Sequence, residues 1–165
     1  MRTAKFLEAL LACAEEEIDP PVCRAFWHPG PDAPHDVCET GAGGVDGQLW
    51  VALLTTNQGW PSPDGEPTSC ASAWTDNIEI GIVRCARGKL GDDGAIPPAD
   101  DVTADAQQQI EDRDALRRAI LCCLDVENKD IIVEGWEAVA PLGGCVGGTW
   151  TLRSRHAGCD CTPES

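Results

Sequence analysis

The chain has 165 residues, of which 42% are hydrophobic, and its 28 acidic and 12 basic side chains give a formal net charge of −16. This length suits one domain with one core, residues 1–165. The acidic balance argues against DNA binding by phosphate neutralisation and against contact with anionic membranes, and no stretch approaches the ~20 apolar residues of a membrane span. The charge instead favours solubility, basic partners, or a surface past which DNA slides.

The first twenty residues, MRTAKFLEALLACAEEEIDP, start with basic side chains and an apolar run that ends at Cys13, as in a lipoprotein cleavage box. However, Glu8 interrupts the run, and the run is short. The apolar residues recur at helical spacing and favour an amphipathic helix packed on the domain and ended by Pro20-Pro21. The predicted buried face consists of Phe6, Leu7, Leu10, Cys13, Ala14 and Ile18.

Two strands and a long hairpin tip are predicted next, after a loop over residues 19–47 that is rich in Pro and Gly. Residues 49–56 (LWVALLTT) are apolar on both faces, which predicts a central strand. Residues 73–84 alternate with period two and predict a half-buried strand. The connection between them, 57–71, is turn-rich and carries Trp60, Pro61 and Asp64, our candidate residues for contacts with a protein partner.

A long helix is predicted over residues 103–124, after a second, acidic loop at 88–101, with Thr103 as the N-cap. Acidic residues early and arginines late suit the helix dipole. Burial of one apolar stripe against a sheet would stabilise the fold by roughly 1.5–3 kcal/mol for each large side chain. The stripe comprises Leu116, Ala119, Ile120, Cys123 and Leu124, extended backwards by Val102, Ala106 and Ile110.

The C-terminal third predicts a second hairpin. Residues 130–139 and 149–155 have strand patterns, with Trp150 and Leu152 turned inward, and the glycine-rich stretch 141–148 is predicted to be the turn. Residues 156–165 form a loose tail. The fold class is therefore α+β: a mainly antiparallel sheet with an N-terminal helix and a long central helix packed on one face. We expect Leu116, Ile120, Cys123 and Trp150 in its core.

No motif predicts catalysis or a cofactor. The chain lacks the nucleophile elbow, the P-loop, the H-E-x-x-H helix and the dinucleotide fingerprint, and only His28, His35 and His156 are available to activate a cysteine. We therefore expect no enzyme, no catalytic residue and no cofactor.

Ten cysteines are many for this length. They leave open disulfides among the loop and tail cysteines, reduced thiols, or zinc bound by Cys23-x4-His28-x6-His35-x2-Cys38 with Cys159-x-Cys161, although those spacings match no standard finger. Cys13, Cys85 and Cys123 are expected to be small buried hydrophobes. Our prediction is that no metal is bound.

Six tryptophans and no tyrosine are present. Trp50, Trp74, Trp136 and Trp150 fall in predicted strands and are expected in the core or on sheet faces. Trp27 and Trp60 fall in predicted loops, where a tryptophan either anchors a protein contact or covers its own loop.

Four segments together resemble a known group of proteins: GQLWVALL, AWTDNIEIGIVRCA, DALRRAILCCL and the GW…PLGGCVGGTWTL hairpin, closed by CDC. The chain, from about Cys23 to Cys161, resembles Cys-rich proteins encoded among the virion structural genes of long-tailed actinobacterial phages (siphoviruses). In plan it is most similar to tail-terminator proteins, small α+β subunits that form a hexameric ring on the end of the tail tube. The cysteine content exceeds what that fold requires.

The resemblance implies a structural virion protein that stops polymerisation of the tube and joins the tail to the head. The implied partners are further copies of the chain, the major tail protein and the head–tail connector or stopper proteins, while genomic DNA passes through the ring without specific binding. Assembly would take place in the host cytoplasm and the product would reside in the virion. The alternatives are a head-completion, stopper or connector protein of the same neck, a secreted disulfide-rich binding module, or a small zinc protein.

Overall fold

The computed structural model describes residues 2–33, 46–58, 73–87, 96–123, 131–142 and 144–157. Helix α1 spans Arg2–Glu17, and helix α2 spans Ala99–Arg118 and continues as a π-helical turn, Ala119–Cys123. The strands are β1 (Arg24–Pro29), β2 (Gln48–Gln58), β3 (Ala73–Cys85), β4 (Ile131–Leu142) and β5 (Cys145–Ala157).

The strands form one five-stranded sheet in the order β1-β2-β3-β5-β4. The predicted hairpins β2–β3 and β4–β5 are antiparallel, as is the β3–β5 pairing, but β1 pairs with β2 in parallel from Arg24 opposite Gln48. The sheet is therefore mixed, and the prediction of a mainly antiparallel sheet was wrong in this respect. The reason is that β1 lies inside 19–47, which was predicted to be all loop because its prolines and glycines hide a six-residue strand.

The main core lies between the two helices and one face of the sheet. Helix α1 buries Leu7, Leu10 and Ala14, and Ile18 just beyond its end is also buried. These residues meet alternate side chains of two neighbouring strands, because successive residues of a strand point to opposite faces. The strand contribution consists of Leu49 and Val51 from β2 and Ile78, Ile80 and Ile82 from β3.

Helix α2 begins earlier and faces the sheet with a different stripe than predicted. Its N-cap is Pro98, and the hydroxyl of Thr103, the predicted cap, donates to the carbonyl of Ala99 at 2.8 Å. Leu116, Ala119 and Ile120 are buried, whereas the predicted extension is exposed: Val102, Ala106 and Ile110. Asp105 and Asp112 occupy the buried face instead. Of Cys123 only the backbone lies within the described residues.

The glycine-rich stretch is strand rather than turn. Gly144, with a positive φ of 81°, belongs to the turn, but Gly147 and Gly148 lie in β5. A Cβ on Gly147 would collide with the Ile82 carbonyl oxygen, and one on Gly148 with the Trp136 ring. These glycines therefore permit close approach of strands and of an indole. Strand β5 also continues through His156 into Ala157, so the predicted loose tail begins later than residue 156.

Neither α1 nor α2 combines the length and the apolar character needed to cross a bilayer, within the ranges that the structure describes.

Two isoleucines of α2 provide a test of which face supports the fold. We expect Ile120→Ala to lower the free energy of unfolding by about 2–5 kcal/mol, because Ile120 is 2% exposed in the main core. Ile110→Ala makes the same change at a position that is 51% exposed, and should stay within about 0.5 kcal/mol of the parent. Urea denaturation at low protein concentration measures both. Equal losses would place Ile110 in the core and contradict the observed helix orientation.

Candidate functional site

A buried ion pair joins the end of β3 to the middle of α2. Arg84 donates from Nε to Oδ2 of Asp112 at 2.8 Å and from a terminal nitrogen to Oδ1 at 2.9 Å. The side chains are only 5% and 3% exposed. The same terminal nitrogen donates to the carbonyl of Pro20 at 2.7 Å, which ties in the segment after α1. This bidentate geometry makes the contact rigid and structural in character.

Further polar contacts surround this pair on α2. Gln108 donates to the carboxylate of Asp112 at 3.2 Å and to the carbonyl of Asp19 at 3.3 Å. One turn earlier on the same face of α2, Oδ1 of Asp105 accepts from the backbone N–H of Arg87 at 3.1 Å. The sequence pattern did not predict that these polar side chains are buried, because helical periodicity of apolar residues places every aspartate on the solvent-facing side. The seven-residue spacing of Asp105 and Asp112, two helical turns, is the only sequence signal that was available.

A second buried carboxylate, Asp76, lies at the start of β3 and is 1% exposed. Its Oδ2 accepts from the hydroxyl of Thr3 at 2.9 Å and lies 2.8 Å from Nε2 of His156, and its Oδ1 accepts from the hydroxyl of Thr56 at 2.6 Å. The carboxylate stands between the hydroxyls and the imidazole. Two hydroxyl donors and the imidazole thus satisfy the buried carboxylate.

The histidines and cysteines give no metal centre within the described ranges, where no three candidate ligands cluster. Cys23 donates its thiol to the carbonyl of Gly47 at 2.9 Å, and His28 lies four residues along β1 from Arg24. Cys23 precedes β1 and His28 lies near the far end of that strand, and the two do not belong to a common cluster of metal ligands. His35, Cys38, Cys159 and Cys161 lie outside the described residues.

The cysteines fall into different states. Cys145 is disulfide-bonded, whereas Cys23 and Cys122 are exposed thiols. The sequence left disulfides open for the loop and tail cysteines, whereas Cys145 lies in β5 and Cys23, a cysteine of the predicted 19–47 loop, is a free thiol.

A cavity of about 440 Å³ lies on the sheet face opposite the helices. Its lining includes three carboxylates, Asp32, Glu79 and Glu137, together with Trp50 and Thr149. The indole N–H of Trp50 donates to Glu79 at 2.9 Å and fixes that carboxylate against the cavity wall. The negative lining suits positively charged groups and repels phosphate. It contains no nucleophile held by a base.

The candidate contact residues Trp60, Pro61 and Asp64 lie outside the described residues. Trp27 lies in β1 rather than in a loop and is 41% exposed. Leu116 and Ile120 lie in the main core, and half-buried Trp150 packs against it, with its ring 5.9 Å from that of Trp136 and its indole N–H donating to the carbonyl of Arg113.

A scan of the sequence against models of known protein families gives no match, and a search of curated protein sequences likewise finds no relative.

Removal of one partner tests the buried ion pair. Asp112→Ala should lower the free energy of unfolding by about 3–5 kcal/mol, because it leaves the Arg84 guanidinium buried without its counter-charge. The control is Asp114→Ala, two residues after Asp112 on α2, which breaks an exposed ion pair with Arg113. It should lower the free energy of unfolding by no more than about 1 kcal/mol. Chemical denaturation followed by circular dichroism compares the two; similar costs would mean that Arg84 finds water or another acceptor.

Two glycines test the packing beneath the cavity. A Cβ on Gly81 would overlap the indole of Trp50 and lie 2.8 Å from Cγ2 of Thr149, so Gly81→Ala should destabilise by about 1–3 kcal/mol. Gly135→Ala on β4 meets nothing within 4 Å and should be nearly neutral. Thermal unfolding of both variants is the measurement. A neutral Gly81→Ala would show that Trp50 has room to move.

Proposed function

We propose that this chain is a structural virion protein that forms a ring at the end of the phage tail tube, terminates tail polymerisation and joins the tail to the head. The proposal starts from the resemblance of its sequence segments to tail-terminator proteins. The element order supports it: an N-terminal helix, a hairpin, a long helix and a closing hairpin are all present, with β1 as an addition.

The observation that carries the proposal is the construction of the β2–β3 hairpin. Its strands stay paired to their ends, with Gln58 opposite Trp74, and β5 pairs with β3 along the same length, to Ala157 opposite Ala73. Strand pairing thus extends to Gln58 and Ala73, the last described residues on either side of the connection 59–72. A connection of this length is normally functional, and it holds the candidate contacts Trp60, Pro61 and Asp64.

Continuation of the sheet into a neighbouring subunit is disfavoured at both edges. Edge strand β1 contains Pro29, which has no N–H to donate, and edge strand β4 has irregular register between Val133 and Gly135. Prolines and bulges at edges are devices against strand pairing. Ring contacts between subunits are therefore assigned to side chains and connections, and in a closed ring they are heterologous.

Charge supports the proposed partners. A subunit of net charge −16 that lines a channel does not grip DNA phosphates, so a genome can pass without specific binding. The acidic cavity at Glu79 and Glu137 suits basic side chains of the major tail protein or of the connector and stopper proteins. Under this proposal the chain is a hexamer in the virion, has no catalytic role and binds no cofactor.

A stopper or head-completion protein of the same neck is the nearest alternative. Cross-linking separates the two: a tail terminator cross-links to the major tail protein, and a stopper cross-links to the connector.

A secreted disulfide-rich binding module is the second candidate, favoured by the disulfide at Cys145. Recovery of the protein from culture supernatant, cut near Cys13 and free of particles, would support that alternative and contradict a virion role.

Two matched tryptophan substitutions test the assembly role. Trp60→Ala should leave the unfolding free energy of the monomer unchanged and abolish rings in negative-stain images, because the side chain is assigned to contacts between subunits. Trp27→Ala removes the exposed indole on β1 and should leave rings intact. Particles made without the protein should carry tails of uncontrolled length; normal tails joined to full heads would exclude this function.

A further inference from the structure

Cys145, the first residue of β5, is disulfide-bonded, and its position on the sheet restricts which cysteine is its partner. The other cysteines whose side chains the structure describes are thiols, so none of them is the partner: Cys13, Cys23, Cys85 and Cys122. The sequence leaves five candidates: Cys38, Cys70, Cys123, Cys159 and Cys161. The two Cα atoms of a disulfide lie within about 7 Å of each other, so the candidates are separated by distance.

Three of the candidates adjoin the far end of the sheet: Cys70, Cys159 and Cys161. Strand β5 begins at Cys145 and ends at Ala157, which pairs with Ala73 at the start of β3. The strand covers about 40 Å between its two ends. The first candidate precedes Ala73 by three residues, and the other two follow Ala157 by two and four residues. A chain advances at most about 3.6 Å per residue, so none of the three reaches more than about 14 Å from its strand end.

The sheet itself separates Cys145 from Cys123. The backbone of Cys123 ends the π-helical turn, which contacts α1 on the helix-covered face of the sheet. Arg84 meets Asp112 of α2 on that same face. Its neighbour Cys85, and Cys145 opposite Cys85, therefore point to the other face. On that face Cys145 packs against a second apolar cluster, which consists of Ala33, Trp50, Ala52 and Val83.

Cys38 is the remaining candidate, and both ends of its connection lead towards Cys145. The described chain stops at Ala33, which belongs to the second apolar cluster against which Cys145 packs. It resumes just before Gly47, where a Cβ would come within 2.7 Å of the Val83 carbonyl oxygen. Val83 in turn lies two residues before the β3 residue that pairs with Cys145. Cys38 follows Ala33 by five residues, a reach of up to about 18 Å, which is enough to meet Cys145.

We propose that Cys38 and Cys145 form a disulfide that ties the connection 34–45 to the start of β5. The bond closes a covalent loop of about 100 residues, which contains β2, β3, α2 and β4. A loop of this length restricts the unfolded chain strongly, so the bond stabilises the fold. It also holds the segment Pro31–Ala33, one wall of the acidic cavity, against the sheet.

Peptide mapping of the full chain identifies the bond. The protein is oxidised with glutathione disulfide, which takes up the two electrons and two protons released by the two thiols and becomes two glutathione thiols. Remaining thiols are alkylated at acidic pH without reductant, and the chain is cleaved after arginine, lysine and glutamate. Residues 25–39, which contain Cys38, should be joined to residues 138–153, which contain Cys145. Cys145 joined to another cysteine or to a second copy of the chain, or recovered as an alkylated thiol, would overturn the proposal.

Thermal unfolding of the oxidised protein compares two single substitutions with their combination. Cys38→Ser and Cys145→Ser should each lower Tm by about 5–15 °C. The double variant should unfold at the same temperature as the single variants, because either change alone removes the bond. The control Cys122→Ser alters an exposed thiol on the π-helical turn and should keep the Tm of the parent. Additive losses from the two substitutions would contradict a shared bond.

The bond and the proposed virion role are independent of each other. Peptide mapping reports the partner of Cys145, whereas negative-stain images of the Trp60→Ala variant report ring formation. A chain with the expected bond that forms no rings would refute the role alone, and rings built from a chain with a different bond would refute the pairing alone.

Discussion

The bidentate contact between Arg84 and Asp112 sets the position of α2 on the sheet. Each charge loses its hydration on burial, and the opposite charge provides most of the compensation, with the Pro20 carbonyl and Gln108 as further partners. Asp112 must therefore face the end of β3, and Asp105, two turns earlier, faces the same way and accepts from the backbone of Arg87. A helix has a limited circumference, so the requirement that these aspartates and Leu116 point inward turns Val102 and Ile110 towards solvent.

Helix α1 is held to β3 at both ends by buried charges. Thr3 in its first turn donates to Asp76 at the start of β3, and Pro20, beyond its last turn, accepts from Arg84 at the end of β3. The eight residue steps from Asp76 to Arg84 span about 27 Å of strand. Between the two tie points Leu7 and Leu10 lie in the same buried apolar cluster as the three isoleucines of β3. The polar ends fix direction and register, and the apolar middle supplies most of the stabilisation.

The buried polar groups of the described residues satisfy one another within the fold. Asp76 satisfies two hydroxyls and an imidazole, and Arg84 satisfies a carboxylate and a carbonyl.

The sequence by itself determined the two helices, the two hairpins and most of the main core, because apolar residues spaced by 2 or by 3.6 report directly which side of an element meets other chain segments. It did not reveal β1, whose short run lies among prolines and gains its stability from pairing with β2. It also predicted, wrongly, that Val102 and Ile110 are buried. Helical periodicity gives two overlapping apolar faces on α2, and it does not show which of them packs on the sheet. Only the tertiary structure decided between these faces. Arg84 is distant in sequence and needs an acidic partner in the interior. The free-energy cost of burying its charge unpaired exceeds the cost of leaving two aliphatic side chains half exposed.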